Sequence, residues 1–311
     1  MTDIVITEFM DEQAVAGLAA DFDLVYDAGL VDRPEDLAAL AAGAGALIVR
    51  NRTQVRGALL AACTKLMAVG RLGVGLDNID VAACRARGIA VFPATGANDV
   101  AVAEYVMAGL FLLFRPAFGA SAQVAAGAWP RTALMDGREI AGKRLGLIGF
   151  GATARQVARR ARALGMPVLA SDPHVRPDDP AWREFDVEPR ALDDLLRAAD
   201  AISLHIPLTD ETRGLIDARR LALMKPDAVL INAARGGVVD ETALAHALTA
   251  GQLAGAMLDV FEREPLPGGG VLAGVPNLIL TPHIAGLTRE ANARVGSLVA
   301  ERVRAVLERK A

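Results

Sequence analysis

The chain has 311 residues, 53% of them hydrophobic and 23% charged, with a formal charge of -4 at pH 7. That length exceeds what a single core usually fills, so two domains are expected, and the composition excludes wholesale disorder. The small negative balance gives no general pull toward nucleic acid or anionic lipid, and Cys63 and Cys84 are too few for a disulfide framework or a thiolate metal cage.

In chain order, residues 1–8 read as a short strand carrying Asp3 and Glu8, without the basic opening of a signal peptide. Strands are expected at residues 4–6, 24–25, 46–49 and 66–69, with helical patterns at 11–20, 34–42 and 55–62 between them. This βα alternation implies a parallel sheet. Residues 98–113 read as a long helix. The apolar run 100–114 is interrupted by Glu104 and stopped by Arg115-Pro116, so it is expected to be buried in protein and not in a membrane. A second alternation follows, with strands at 144–149, 167–170, 201–204, 228–231, 254–258 and 278–280, the count a doubly wound dinucleotide domain requires. The last helical pattern, 288–310, is expected to return to the first domain. The expected architecture is therefore α/β, with two Rossmann-like domains of doubly wound parallel sheets and a cleft between them. Residues 1–99 with 285–311 form the substrate-binding domain and 100–284 the cofactor domain.

The stretch from Gly149 to Ala154, GFGATA, follows an apolar strand and opens an amphipathic helix. Gly149 permits the tight turn, Gly151 lets backbone approach a pyrophosphate, and Ala154 keeps helix and strand close. The helix start offers N–H groups and a positive dipole end to the phosphates. In a chain with 30 glycines this string alone marks no more than a turn. Asp172, at the end of the next strand, supplies the second signal: a carboxylate there accepts from ribose hydroxyls and repels a 2′-phosphate, which points to NAD over NADP. Arg176 nearby is the one feature against that preference.

Three later strand ends carry the chemistry: residues 232–237 with Arg235, 259–265 with Glu264, and 281–286 with His283. In a parallel sheet all three loops open on one edge. Hydride exchange at a 2-hydroxy acid needs a base for the hydroxyl proton and a cation for the carboxylate and developing oxyanion. His283 suits the first role because imidazole titrates near neutrality. Arg235 suits the second through two parallel N–H donors. Glu264 can pair with His283 and favour imidazolium, which reduction of the ketone requires. Singly, a His after Pro, a Glu before Pro and an Arg before Gly-Gly are ordinary strand-end and turn residues; it is their convergence beyond a cofactor signature that selects the catalytic reading. No metal is called for.

In order and spacing these stretches resemble the D-isomer-specific 2-hydroxyacid dehydrogenases, the family of phosphoglycerate, glycerate, formate and D-lactate dehydrogenases. The likeness covers nearly the whole chain: residues 69–80 (VGRLGVGLDNID), Asn98 with residues 102–104, GFGATA, residues 205–209 (HIPLT) and the three catalytic stretches. It implies a homodimer joined through the cofactor domain; NAD is the cofactor expected from Asp172, a reduced cytoplasm suits the two cysteines, and charge and hydropathy lead to no expected nucleic-acid or membrane partner. It implies that the substrate is held by Arg235, by backbone around Leu72 and Gly73, and near Asn98. It also implies that Asp259, Ala233, Ala234 and Gly286 meet the nicotinamide end, with His205, Pro207 and Thr212 along the nucleotide. Ala152 and Thr153 join the cofactor set but replace a frequent Arg-Ile pair, so a phosphate contact from position 152 stays open.

Arg50 and Arg52 follow one first-domain strand, and Arg71 ends another beside the glycine loop. A monocarboxylate needs only Arg235, so these cations suggest a second anionic group, as in 3-phosphoglycerate or 3-sulfolactate. Alternatively they pair with surface acids. The end of the chain at Ala311, without the regulatory domain many phosphoglycerate dehydrogenases carry, points to a catabolic or unregulated enzyme. The other readings are a dehydrogenase for glycerate, glyoxylate or lactate, and a non-enzymatic NADH sensor of the corepressor type built on the same fold.

Overall fold

The computed structural model describes residues 2–310, which fall into two units: Met1–Asn98 with Gly286–Ala311, and Asp99–Ala285.

The first unit is built on a five-stranded sheet, β1 (Ile4–Ile6), β2 (Leu24–Tyr26), β3 (Ala46–Val49), β4 (Ala68–Arg71) and β5 (Ala90–Pro93). The order is β2-β1-β3-β4-β5 and every pair is parallel, the flavodoxin-like arrangement of a doubly wound sheet. Its helix starts are locally determined: the Asp11 carboxylate accepts from the N–H groups of Gln13 and Ala14, and Pro34 opens Pro34–Ala41. The last helix, Arg289–Leu307, is capped by Thr288 and buries Val295, Val299, Val303 and Leu307, one residue every four, against the sheet. Gly70 in β4 permits that approach, since a Cβ there would lie 2.4 Å from Val299 Cγ1. β5 and the helix Val81–Ala86 were not foreseen from sequence, and β4 starts two residues later than expected and reaches Arg71. A strand ending in proline can occupy only an edge, and β5 does.

The second unit carries β6 (Leu145–Ile148), β7 (Val168–Ser171), β8 (Val187–Pro189), β9 (Ala201–Leu204), β10 (Val229–Asn232), β11 (Gly255–Leu258) and β12 (Leu278–Leu280). Their order is β12-β11-β10-β9-β6-β7-β8, again all parallel. β8, with Glu188 and a terminal Pro189, is a seventh strand where six were expected, and it too is an edge. Strand order reverses between β6 and β9, the point where a doubly wound sheet opens its crevice. Apolar clusters cover both faces: one with the helices Asp99–Phe114 and Ala152–Ala163, the other with Leu192–Ala198 and Glu241–Thr249. Both faces being covered explains why these strands read as unbroken apolar runs. The helix Asp99–Phe114 lies close over the sheet at Gly109, whose Cβ would fall 2.2 Å from Met257 Cε. Among the described residues no single helix is long and apolar enough to cross a membrane.

Candidate active site

At the switch point β6 ends in Gly149, which adopts φ +89; a Cβ there would sit 2.5 Å from the His205 carbonyl oxygen at the end of β9. Only glycine fits that turn. Gly151 is the N-cap of Ala152–Ala163, with no side-chain cap, and a Cβ on it would meet no atom within 4 Å. The helix therefore presents its first N–H groups to an open space that a side chain would otherwise enter, which fits a pyrophosphate. Ala154 is fully buried in the core beneath. Thr153 does something different from what the motif suggests: its hydroxyl donates to Asp99 Oδ1 at 2.7 Å, tying this helix to the start of Asp99–Phe114.

Asp172 follows β7 beside this loop. Its carboxylate accepts from the Phe150 and His174 N–H groups, each at 2.8 Å, so its position is set by the glycine loop itself. Arg176 pairs with Asp178 in the open, at 2.9 Å. His205 Nε2 lies 2.9 Å from Ser203 Oγ, and burial pushes its imidazole down to about 4, so it is neutral at pH 7. Thr212 donates to the Pro207 carbonyl at 2.7 Å and accepts from the Thr209 N–H at 2.8 Å, which makes it the clasp of the loop after β9.

The loop after β10 is folded by Asn232, a buried polar residue ending an apolar strand. Its amide donates to the Arg235 carbonyl at 2.9 Å and accepts from the Ala234 N–H at 3.0 Å. Arg235 is half-buried and donates to the Ala234 carbonyl.

After β11, Asp259 is almost fully buried. Its Oδ1 accepts from Thr281 Oγ1 at 2.6 Å and the Ile284 N–H at 2.9 Å, its Oδ2 from the Ala285 N–H at 2.8 Å, and its carbonyl from the His283 N–H at 2.8 Å. One carboxylate thus fixes the loop after β12, in which His283 takes φ +55. For a non-glycine residue that region costs on the order of 1 kcal/mol or more and persists only where neighbours impose it.

The imposed conformation brings His283 Nδ1 to 2.7 Å from Glu264 Oε2, while Glu264 Oε1 accepts from the Phe261 N–H at 3.0 Å. Burial alone would raise the Glu264 carboxyl. The hydrogen bond and charge of His283, the Phe261 N–H and the nearby charge of Arg235 outweigh it and hold the group below its ordinary value. An ionised carboxylate only accepts, so Nδ1 carries a proton and Nε2 of the neutral ring is left basic.

In the first unit the arginines part ways. Arg52 forms an exposed two-point pair with Asp32, which is the surface pairing weighed against a substrate role. Arg50 donates to the Phe9 carbonyl and to Asn292 Oδ1. Arg71 is buried, donates to the Leu72 carbonyl at 2.9 Å and lies against Gly73, where a Cβ would fall 1.7 Å from its Nη1. Glu8, which no motif marks, is buried and accepts from the N–H groups of Arg50, Arg52 and Thr53, so it shapes the loop after β3. Gly286 packs on Asn98: a Cβ would lie 2.5 Å from Asn98 Nδ2.

A doubly wound sheet with a glycine loop at its switch point, and a His–Glu pair and an arginine on neighbouring strand ends, defines a dinucleotide-dependent dehydrogenase. Residues 107–285 match the family described as D-isomer specific 2-hydroxyacid dehydrogenase, NAD binding domain, and the chain belongs to that family. It is an NAD-dependent oxidoreductase. Over 307 residues it is 56% identical to an (S)-sulfolactate dehydrogenase of Chromohalobacter salexigens, spanning 99% of each chain. It is 42% identical over 306 residues to a D-3-phosphoglycerate dehydrogenase of Mycobacterium leprae, spanning 98% of this chain and 56% of that longer one. Among solved structures, D-lactate dehydrogenase from Aquifex aeolicus with NAD and lactic acid is similar at a TM-score of 0.86 and 29% identity, over 98% of this chain and 96% of that one.

Proposed function

We propose that the protein oxidises (S)-sulfolactate at C2 to sulfopyruvate, with His283, Glu264 and Arg235 as its catalytic residues. The observation that carries the chemistry is the 2.7 Å contact between His283 Nδ1 and Glu264 Oε2. It leaves Nε2 to take the C2 hydroxyl proton as the hydride leaves carbon, and it steadies the imidazolium that results. Arg235 binds the substrate carboxylate through paired N–H donors. NAD, when bound, supplies the hydride acceptor. The first N–H groups of Ala152–Ala163 would hold its pyrophosphate and Asp172 its ribose hydroxyls, which favours NAD over NADP.

The substrate rests on the similarity to sulfolactate dehydrogenase, 56% identical over 99% of each chain, against 42% for the phosphoglycerate dehydrogenase. Arg71, at the end of β4 beside Gly73, is the first-unit arginine that we assign to the second anionic group. 3-Phosphoglycerate is the second reading, favoured by the 42% identity. Steady-state assays with NAD on sulfolactate, 3-phosphoglycerate, lactate and glycerate decide: sulfolactate is expected to give the highest kcat/KM, and equal turnover of lactate or glycerate overturns the reading. The enzyme works in the cytoplasm as a homodimer joined through the cofactor unit, where Phe118, Trp129 and Met135 expose 64%, 77% and 70% of their surface. Light scattering at twice the chain mass is the expected result.

A further inference from the structure

We propose that Tyr105 and Thr281 are positioning residues for His283. The inference rests on His283 being the base. Thr281 Oγ1 lies 2.6 Å from Asp259 Oδ1 and also contacts the Tyr105 hydroxyl. A carboxylate oxygen only accepts, so the single Thr281 proton goes to Asp259. In the contact with Tyr105, Thr281 must therefore accept and the phenol must donate. Burial pushes the Tyr105 phenol up, so it keeps its proton and stays a donor throughout the working pH range. The result is a one-way chain, from Tyr105 through Thr281 to Asp259, ending on the carboxylate that receives the Ile284 and Ala285 N–H groups and whose backbone receives that of His283.

His283 needs such support, because φ +55 is a conformation that the residue does not prefer. Both its N–H contacts, to the Asp259 and Thr281 carbonyls, belong to members of this chain of bonds. Tyr105 anchors the far end in the helix Asp99–Phe114, whose first residue, Asp99, holds Thr153 at the start of the cofactor helix. One helix thus steadies the loop of the base and the phosphate-binding turn.

The test is a double-mutant cycle on the whole enzyme, with whichever 2-hydroxy acid it turns over best, reading kcat, KM for NAD and the melting temperature. Tyr105→Phe is expected to lower kcat about tenfold, the worth of one neutral hydrogen bond with its neighbours' alignment, and to leave KM for NAD within about twofold. Thr281→Val should cost about thirtyfold or more, because it removes a bond to a charged group, while Thr281→Ser, which keeps the hydroxyl, should recover to within about threefold of the parent. The double variant Tyr105→Phe with Thr281→Val should be no slower than Thr281→Val alone, since both cut the same chain. Wild-type kcat in Tyr105→Phe, equal loss in Thr281→Ser and Thr281→Val, or multiplying effects in the double variant each overturns the proposal. A fall in melting temperature without a fall in kcat does so too. His283→Ala separates the two readings: activity surviving there removes the base itself, whereas a dead His283→Ala beside an unaffected Tyr105→Phe removes only the relay.

Discussion

Glu264 Oε2 lies 2.7 Å from His283 Nδ1, and the carboxyl is held below its ordinary value against the pull of its own burial. Glu264 is therefore a carboxylate through the neutral range, and an anion beside the ring favours a proton on it. Glu264→Gln removes that charge while keeping a hydrogen-bonding side chain. Oxidation, which needs the neutral ring, should then persist to lower pH, and reduction, which needs the charged ring, should fail at lower pH. Both limbs are expected to move to lower pH, with kcat reduced about tenfold or more. pH profiles of kcat/KM in the two directions check this, and an unmoved profile would separate Glu264 from the chemistry.

His283→Ala and Arg235→Lys should fail differently. Loss of the proposed base should abolish turnover while NADH binding, followed by fluorescence, stays within about twofold. Arg235→Lys keeps the charge but loses the fork, so kcat/KM for the acid should fall about a hundredfold with binding of the cofactor unchanged. If lysine serves as well, Arg235 is a point charge and its paired geometry is irrelevant.

Asp172, proposed above to hold the ribose, also fixes the Phe150 and His174 N–H groups. Asp172→Asn keeps an acceptor for those bonds and removes the repulsion toward a 2′-phosphate. KM for NAD should rise about tenfold and KM for NADP should fall. A cofactor preference that does not move would assign Asp172 to loop structure alone.

The glycine loop and the three strand ends that bring His283, Glu264 and Arg235 to one edge of the sheet were legible because each is a local string. Tyr105 and Thr281 were not, although tyrosine occurs only twice in the chain: they lie 176 positions apart, and a polar atom on an apolar helix has no sequence partner until the fold provides one. Glu8 was invisible for the same reason, reaching across 42 positions to the Arg50 N–H. Asn232 could have been found, as the one polar residue closing an otherwise apolar strand. β5 and β8 escaped because a short run ending in proline has the composition of a turn, and only an edge position makes it a strand. The arginines show the opposite failure. Sequence placed three cations at the ends of two strands taken as neighbours but carried no sign of Asp32, which pairs with Arg52.

His205 gives the acid limb of stability a definite sign. Its folded value, about 4, lies below the ordinary 6.5, so the unfolded chain binds its proton first as pH falls. The stability due to the neutral ring is whole above pH 6.5 and is lost between there and pH 4, in total on the order of 3 kcal/mol. His205→Gln, which cannot titrate, should show a flatter decline in urea stability from pH 7 to pH 4.5. Parallel slopes would mean that the ring titrates normally.

Arg52 and Arg71 can now be told apart in advance. Arg52 is exposed and already engaged by Asp32, so Arg52→Ala should lose only a surface pair, worth well under about 1 kcal/mol, and leave KM for sulfolactate within about twofold. Arg71 is buried against the Gly73 backbone, where its charge acts in a poorly screened setting. Arg71→Ala should raise KM for sulfolactate about thirtyfold or more and KM for lactate by only a few-fold, because lactate has no second anion to lose. A purely structural role for Arg71 would raise both equally, and the ratio of the two KM values separates these outcomes whatever the variant does to expression or melting temperature.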